Sequence, residues 1–174
     1  MASARPEATV FFFDEGRFGL QPIVGKHWGR KGVRPAVATQ IGYENFYMYS
    51  AVSPTTGEDV SLFLPWANTA MMNVFLEAMQ EALNGHYCIL VLDLAGWHNS
   101  QDLHVPKNIE LVYLLAYSPE LNPVERLWQW LKRHSLRNQF HPNLESVMNA
   151  TQKCFQQTTR HFLMSLCRCQ YLLH

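Results

Sequence analysis

The sequence predicts an α/β domain in which helices pack against one mixed sheet. Three observations point to it. Of 174 residues, 48% are hydrophobic and 16% charged, enough apolar side chain for one domain with a real core and too little charge for a disordered chain. Strand-like runs fill the first third, and helical and strand periods then alternate. A strand, a helix and a continuously apolar strand in succession form a crossover unit, which makes those strands parallel.

The elements follow in order. Residues 1–9 read as a polar tail and residues 10–174 as the single domain. TVFFFDEGRF, β-branched and aromatic, reads as a buried strand that stops at Gly16. Residues 21–35, with Gly25, Gly29, Gly32 and flanking prolines, read as a loop. VATQIGYE, NFYMYSAVSP and EDVSLFLPW continue as strands of an antiparallel meander. Over residues 69–84, Met71, Val74, Phe75, Ala78, Met79 and Ala82 recur at helical spacing, and Asn84-Gly85 closes that helix. YCILVLDLAG is an apolar run ending in Asp93, as in a strand buried on both faces, and IELVYLLAY is a second. Both are expected parallel to the first strand. SPELNP opens the helix VERLWQWLKRHSL, in which Trp128 and Trp130 point to opposite sides: one core, the other an exposed contact. Residues 143–166 read as one last helix, with Leu144, Val147, Met148, Thr151, Phe155, Phe162 and Leu166 on one stripe.

Formal net charge is zero, but it is unevenly spread. Residues 1–37 carry six Lys/Arg against three Asp/Glu, residues 38–125 one against ten, and residues 126–174 seven against one. A fold that brings the two basic ends to one face offers a dock for a polyanion; otherwise the charges are solvated surface. The four cysteines have no framework spacing, no apolar run reaches the roughly 18 residues of a membrane span, and the N-terminus lacks a signal-peptide core. A reduced, cytoplasmic protein is expected. Cys154, His161, Cys167 and Cys169 lack zinc-site spacing, and there is no P-loop, G-x-G-x-x-G or G-x-S-x-G.

Three carboxylates stand where a structural acid is unexpected. Asp14 follows three phenylalanines, Asp93 ends the most apolar strand, and Glu125 lies in the first turn of a helix. Acids gathered in this way repel one another and need a cation. Hard oxygen donors suit Mg²⁺ or Mn²⁺, and two such ions about 4 Å apart serve in-line phosphoryl transfer. Each acid also has a structural reading: Asp14 in a turn with Gly16, Asp93 in an Asx turn, Glu125 as the N3 residue of a capping box opened by Asn122. Glu15, adjacent to Asp14, faces the other way along a strand. His98 either contacts a phosphate or bonds locally in its loop.

Phe12-Phe13-Asp14-Glu15, Trp28-Gly29-Arg30-Lys31-Gly32, Leu92-Asp93-x-Ala95-Gly96-Trp97-His98 and Tyr117-Ser118-Pro119-Glu120-Leu121-Asn122-Pro123-Val124-Glu125-Arg126-Leu127-Trp128 occur in that order. Over about residues 10–135 the chain resembles the catalytic domain of mariner-superfamily DDE transposases, in their bacterial insertion-sequence branch. The last block is the most specific. The resemblance implies a ribonuclease H-like fold with helices on both faces of the sheet. It implies two Mg²⁺ or Mn²⁺ ions held by Asp14, Asp93 and Glu125, and an enzyme that cuts transposon ends and joins 3′-hydroxyls to target DNA. Lys26, Arg30, Lys31, Arg34, His98, Arg126, Lys132 and Arg133, with Arg137, are then expected on DNA phosphates.

The chain departs from the family pattern at Leu94, where an Asn is usual, at Leu115-Ala116, and in a slightly short interval between Asp93 and Glu125. The family's helix-turn-helix domains precede the first Asp, and thirteen residues precede it here. That pattern suggests a separate DNA-binding subunit, and pairing of two ends suggests a homodimer. The alternatives are a nuclease of the same fold acting on hybrids or junctions, and an inactive truncated relic.

Overall fold

β1 (Thr9–Gly19) is the middle strand of a five-stranded sheet in the computed structural model, which describes residues 8–26, 31–32, 42–116 and 118–169. On one side lie β2 (Asn45–Val52) and then β3 (Asp59–Leu64), each antiparallel to its neighbour. On the other lie β4 (Cys88–Leu92) and β5 (Ile109–Tyr113), parallel to β1 and to each other. In the order β3-β2-β1-β4-β5, β4 and β5 run parallel to β1 as expected from the sequence, while Asn45–Val52 pairs directly with β1 and not with an intervening strand.

The two-residue period of β1 splits the core. Phe11 and Phe13 pack with Phe75, Leu76 and Met79 of α1 (Thr69–Leu83) on one face. Phe12 and Phe18 pack on the other face with Leu127, Trp128 and Leu131 of α2 (Val124–Leu131) and Val147 of α3 (Leu144–Phe155). Helices therefore cover both faces, and each fully buried Phe or Leu contributes about 1.5–3 kcal/mol. α1 starts on Asn68, whose side chain accepts from Met71 N–H, and ends at Asn84 in the left-handed conformation.

Several boundaries differ from the sequence reading. β1 runs through Gly16 to Gly19, because Gly16 makes room for an indole rather than a turn. VATQIGYE lies mostly outside the described residues. β5 ends at Tyr113, earlier than the apolar run does. α2 gives way at Lys132–Leu136 to a π-helical turn. There Ser135 Oγ donates to the Leu131 carbonyl at 2.7 Å and His134 Nδ1 lies 2.7 Å from the Trp130 carbonyl, both competing with the helix ladder.

The last helix is two helices, α3 and α4 (Arg160–Leu166). Thr158 donates to the Phe155 carbonyl and the Thr159 hydroxyl accepts from Phe162 N–H. The threonines thus stop one helix and cap the next, while the apolar stripe keeps its spacing across the break. Trp128 is core, as one of the two tryptophans was expected to be. Trp130 is not an exposed contact: it is partly buried, with its ring 4.9 Å from Phe162. All four cysteines are buried and none is in a disulfide. Among the described residues no helix is long and apolar enough to cross a membrane.

Candidate active site

Asp14, Asp93 and Glu125 line one cavity of about 330 Å³. The sheet register explains the first two. β1 and β4 pair with Phe12 opposite Val91, and continuing that register places Asp14 level with Asp93. Adjacent strands lie about 4.8 Å apart, so Asp14 within β1 and Asp93 just past the end of β4 come side by side. Glu125 comes from the first turn of α2, which Asn122 anchors against β1. Buried Asn122 donates from Nδ2 to the Phe13 carbonyl at 2.8 Å and accepts Val124 N–H on Oδ1 at 3.1 Å. The capping-box reading of Glu125 does not hold, because the Asn122 N–H donates instead to the Pro119 carbonyl.

The electrostatics show the strain of gathering acids. Asp14, though partly accessible from the cavity, is enclosed enough that loss of water pushes its carboxyl up to about 7. Trp128 opposes this by donating from Nε1 to Oδ2 at 2.7 Å, while the charges of Glu125 and Glu15 push further upward. Asp93 goes the other way. His98 Nδ1 lies 2.9 Å from Oδ1, and Ala95 N–H donates to the same oxygen at 3.2 Å, which forms the anticipated Asx turn. Despite partial burial, those bonds hold Asp93 below the usual carboxylate range.

The cavity is lined by three carboxylates, one on β1, one after β4 and one at the start of α2. The sequence model of the DDE superfamily endonucleases matches residues 9–148. The chain belongs to that family. A protein of Sinorhizobium fredii (strain NBRC 101917 / NGR234), y4pE/y4sA, is 37% identical over 103 residues, 59% of this chain and 76% of its own. A 39 kDa protein of insertion element IS630 from Shigella sonnei is 28% identical over 137 residues, 76% of this chain and 40% of its own. The DDE domain also superposes on the Mos1 strand transfer complex (TM-score 0.69, 20% identity) and on the Mos1 mariner paired-end complex with Mn (TM-score 0.70, 21% identity). It covers 92% and 91% of itself and 51% of each Mos1 chain, so it spans about half their length. The shared fold is ribonuclease H-like.

The donor set of this DDE domain suits hard divalent cations: three carboxylates, all oxygen, in one cavity. Among the described residues no three such side chains are already closed around one point. Trp128 holds one oxygen of Asp14 and His98 one of Asp93.

Two residues that sequence reasoning passed over build the site. The sequence leaves open which of Trp128 and Trp130 is core; Trp128 is, and its indole also reaches Asp14. Gly16 allows it: a Cβ there would sit 2.6 Å from the Trp128 ring. Asp14 and Gly16 share a face of β1, so the ring that covers Gly16 also meets the carboxylate. The signal was present in Asp14-x-Gly16 and in the i, i+3 spacing of Glu125 and Trp128.

The basic residues are distributed unevenly. Lys132 is half-buried, with its Nζ 5.4 Å from the centre of the Phe18 ring. Burial lowers its pKa, and the nearby charges of Glu125 and Asp14 partly restore it. Lys26, Lys31 and Arg133 are exposed. Arg137 Nη2 donates to the Lys26 carbonyl at 3.1 Å, and Asn138 exchanges bonds with Ile23 and Gly25. The basic loop is thereby pinned to the turn after α2, and parts of the two basic ends share one surface. Exposed Arg126 donates to the Arg168 carbonyl at 2.8 Å. His98 differs from the expectation of a phosphate contact: it is 1% exposed, with both ring nitrogens against carboxylates. Arg30 and Arg34 lie outside the described residues.

Proposed function

We propose that this domain cuts DNA phosphodiesters and transfers the freed 3′-hydroxyl strand to target DNA, as a transposase of an insertion sequence. The observation that carries the reading is the convergence of Asp14, Asp93 and Glu125 on one cavity. Asp14 and Asp93, level on adjacent strands, would hold Mg²⁺ or Mn²⁺ between them, and Glu125 with Asp14 would hold a second ion. The bound ions would lower the pKa of the attacking water or hydroxyl and neutralise the leaving oxygen. The protein's own part is positioning. Trp128 fixes one oxygen of Asp14, Asn122 fixes α2 and so Glu125 against β1, and Lys132 supplies a desolvated cation beside the acids for a backbone phosphate.

The Mos1 structures are a strand transfer complex and paired-end complexes, among them one with Mn and one with Mg. By extension we assign DNA ends, target DNA and a divalent ion to this chain as substrates and cofactor. Lys26, Lys31, Lys132, Arg133 and Arg137 are the phosphate contacts, end recognition falls to a helix-turn-helix module or subunit, and pairing of ends calls for two copies. The full carboxylate set favours this reading over an inactive relic.

The test is Mn²⁺-dependent nicking of duplex DNA carrying the element's ends, wild type beside Asp93→Asn. The variant is expected to stay folded by circular dichroism and lose nicking by at least 1,000-fold. Undiminished nicking would refute the assignment.

A further inference from the structure

Glu15 neighbours Asp14 in sequence but lies on the opposite face of the sheet, and its side chain is only 6% exposed. A buried carboxylate there requires partners. Its Oε1 accepts Trp97 Nε1–H at 3.0 Å and lies 2.8 Å from His98 Nε2. The other nitrogen of that imidazole, Nδ1, lies 2.9 Å from Asp93 Oδ1 and 3.1 Å from the Asp93 carbonyl. The ring is thus strung between two carboxylates. Its backbone is fixed as well: His98 N–H donates to the Ala95 carbonyl, and the Tyr113 hydroxyl donates to the His98 carbonyl at 2.7 Å. Phe13 meets the ring edge-on at 5.6 Å.

Asp93 has little else to hold it. It follows the end of β4, and its side chain is 57% exposed. Packing therefore does not choose its rotamer, and the bonds from His98 and Ala95 do. We propose that Glu15 is a positioning residue for Asp93. Acting through His98, it aims the Asp93 carboxylate into the cavity from the far face of the sheet. The proposal rests on Asp93 being a metal-holding carboxylate. It accounts for a buried acid and a buried imidazole that touch neither the cavity nor the solvent. Carboxylate–imidazole links of this type orient metal ligands, and losing one weakens metal affinity roughly 10–100-fold.

Mn²⁺ alone, titrated calorimetrically into the whole chain, tests this with Glu15→Gln, which keeps the shape and removes the charge. Expected is Mn²⁺ affinity roughly 10-fold or more weaker, with the circular dichroism spectrum unchanged. DNA nicking should need correspondingly more Mn²⁺ and recover towards the wild-type rate at saturation. A purely structural Glu15 would lower the folded fraction and leave the affinity of the folded molecules unaltered. Should Glu15→Gln not fold, His98→Gln carries the same comparison and is expected to show the same loss. Asp93→Asn separates the two ideas. Mn²⁺ binding lost in Asp93→Asn but unchanged in Glu15→Gln or His98→Gln overturns the positioning role and leaves the active site standing. Wild-type Mn²⁺ binding in Asp93→Asn overturns the functional reading, and the positioning role with it.

Discussion

Trp128 Nε1 donates to Asp14 Oδ2 at 2.7 Å, joining the helix that carries Glu125 to the strand that carries Asp14. One hydrogen bond therefore sets the spacing of two acids and favours the charged form of one of them.

Trp128→Phe keeps most of the ring and deletes the donor. A hydrogen bond to a charged group is worth roughly 1.5–3 kcal/mol, so Asp14 should bind its proton more tightly. The acid limb of the nicking pH profile is expected to move to higher pH, with a loss of about 10-fold at pH 7 and recovery in alkali. An equal loss at every pH would mean that the indole serves packing alone.

Stability of the metal-free protein should fall as pH rises from the acid to the alkaline range. Folding raises Asp14 from its ordinary 3.8 to about 7, so the native state holds the extra proton in that window. Stability declines wherever the native state binds more protons than the unfolded one. His98 acts in the same direction at higher pH. Burial disfavours its charge, but Asp93 and Glu15 outweigh burial and raise it from 6.5 to about 10. Its contribution is complete below 6.5 and lost as pH rises through 10. Asp93, lowered in the fold, opposes both only in acid, where its contribution is lost as pH falls. Thermal melts in a chelator should show this slope. Asp14→Asn should flatten it between pH 4 and 7 and raise the pH 8 midpoint by ~4 °C, as expected for a gain of 1–2 kcal/mol in a chain of this size.

Gly16→Ala should break the same contact from the strand side. The added Cβ would lie 2.6 Å from Trp128 and 2.9 Å from Phe18, both rigid rings in a packed core. The expected cost is about 1–3 kcal/mol, seen as a lower urea midpoint, together with weakened nicking. A neutral substitution would show that the indole does not need the gap.

Lys132→Gln should weaken binding to any duplex and reduce the slope of log K against log salt by about 0.9, the release of one phosphate counterion. Arg126→Gln should change that slope less, because its guanidinium already serves the Arg168 carbonyl. Fluorescence anisotropy at several salt concentrations reads both.

Most strands of the sheet, and the place of each acid along the chain, were legible in local sequence. The aromatic run Val10–Phe13, the apolar run ending at Asp93 and the SPELNPVE block place Asp14 on a strand, Asp93 just past one and Glu125 in the first turn of a helix, because local composition and backbone chemistry act within a few residues. What those acids touch depends on contacts between distant segments. Glu15 and His98 are 83 residues apart, Asp14 and Trp128 114, and Asn122 and Phe13 109. No local pattern encodes such pairs. They follow from strand register, from the face a one-residue step selects, and from the gap at Gly16. The same holds for the break at Thr158-Thr159, where hydroxyls outcompete a helical ladder that the apolar stripe alone would continue.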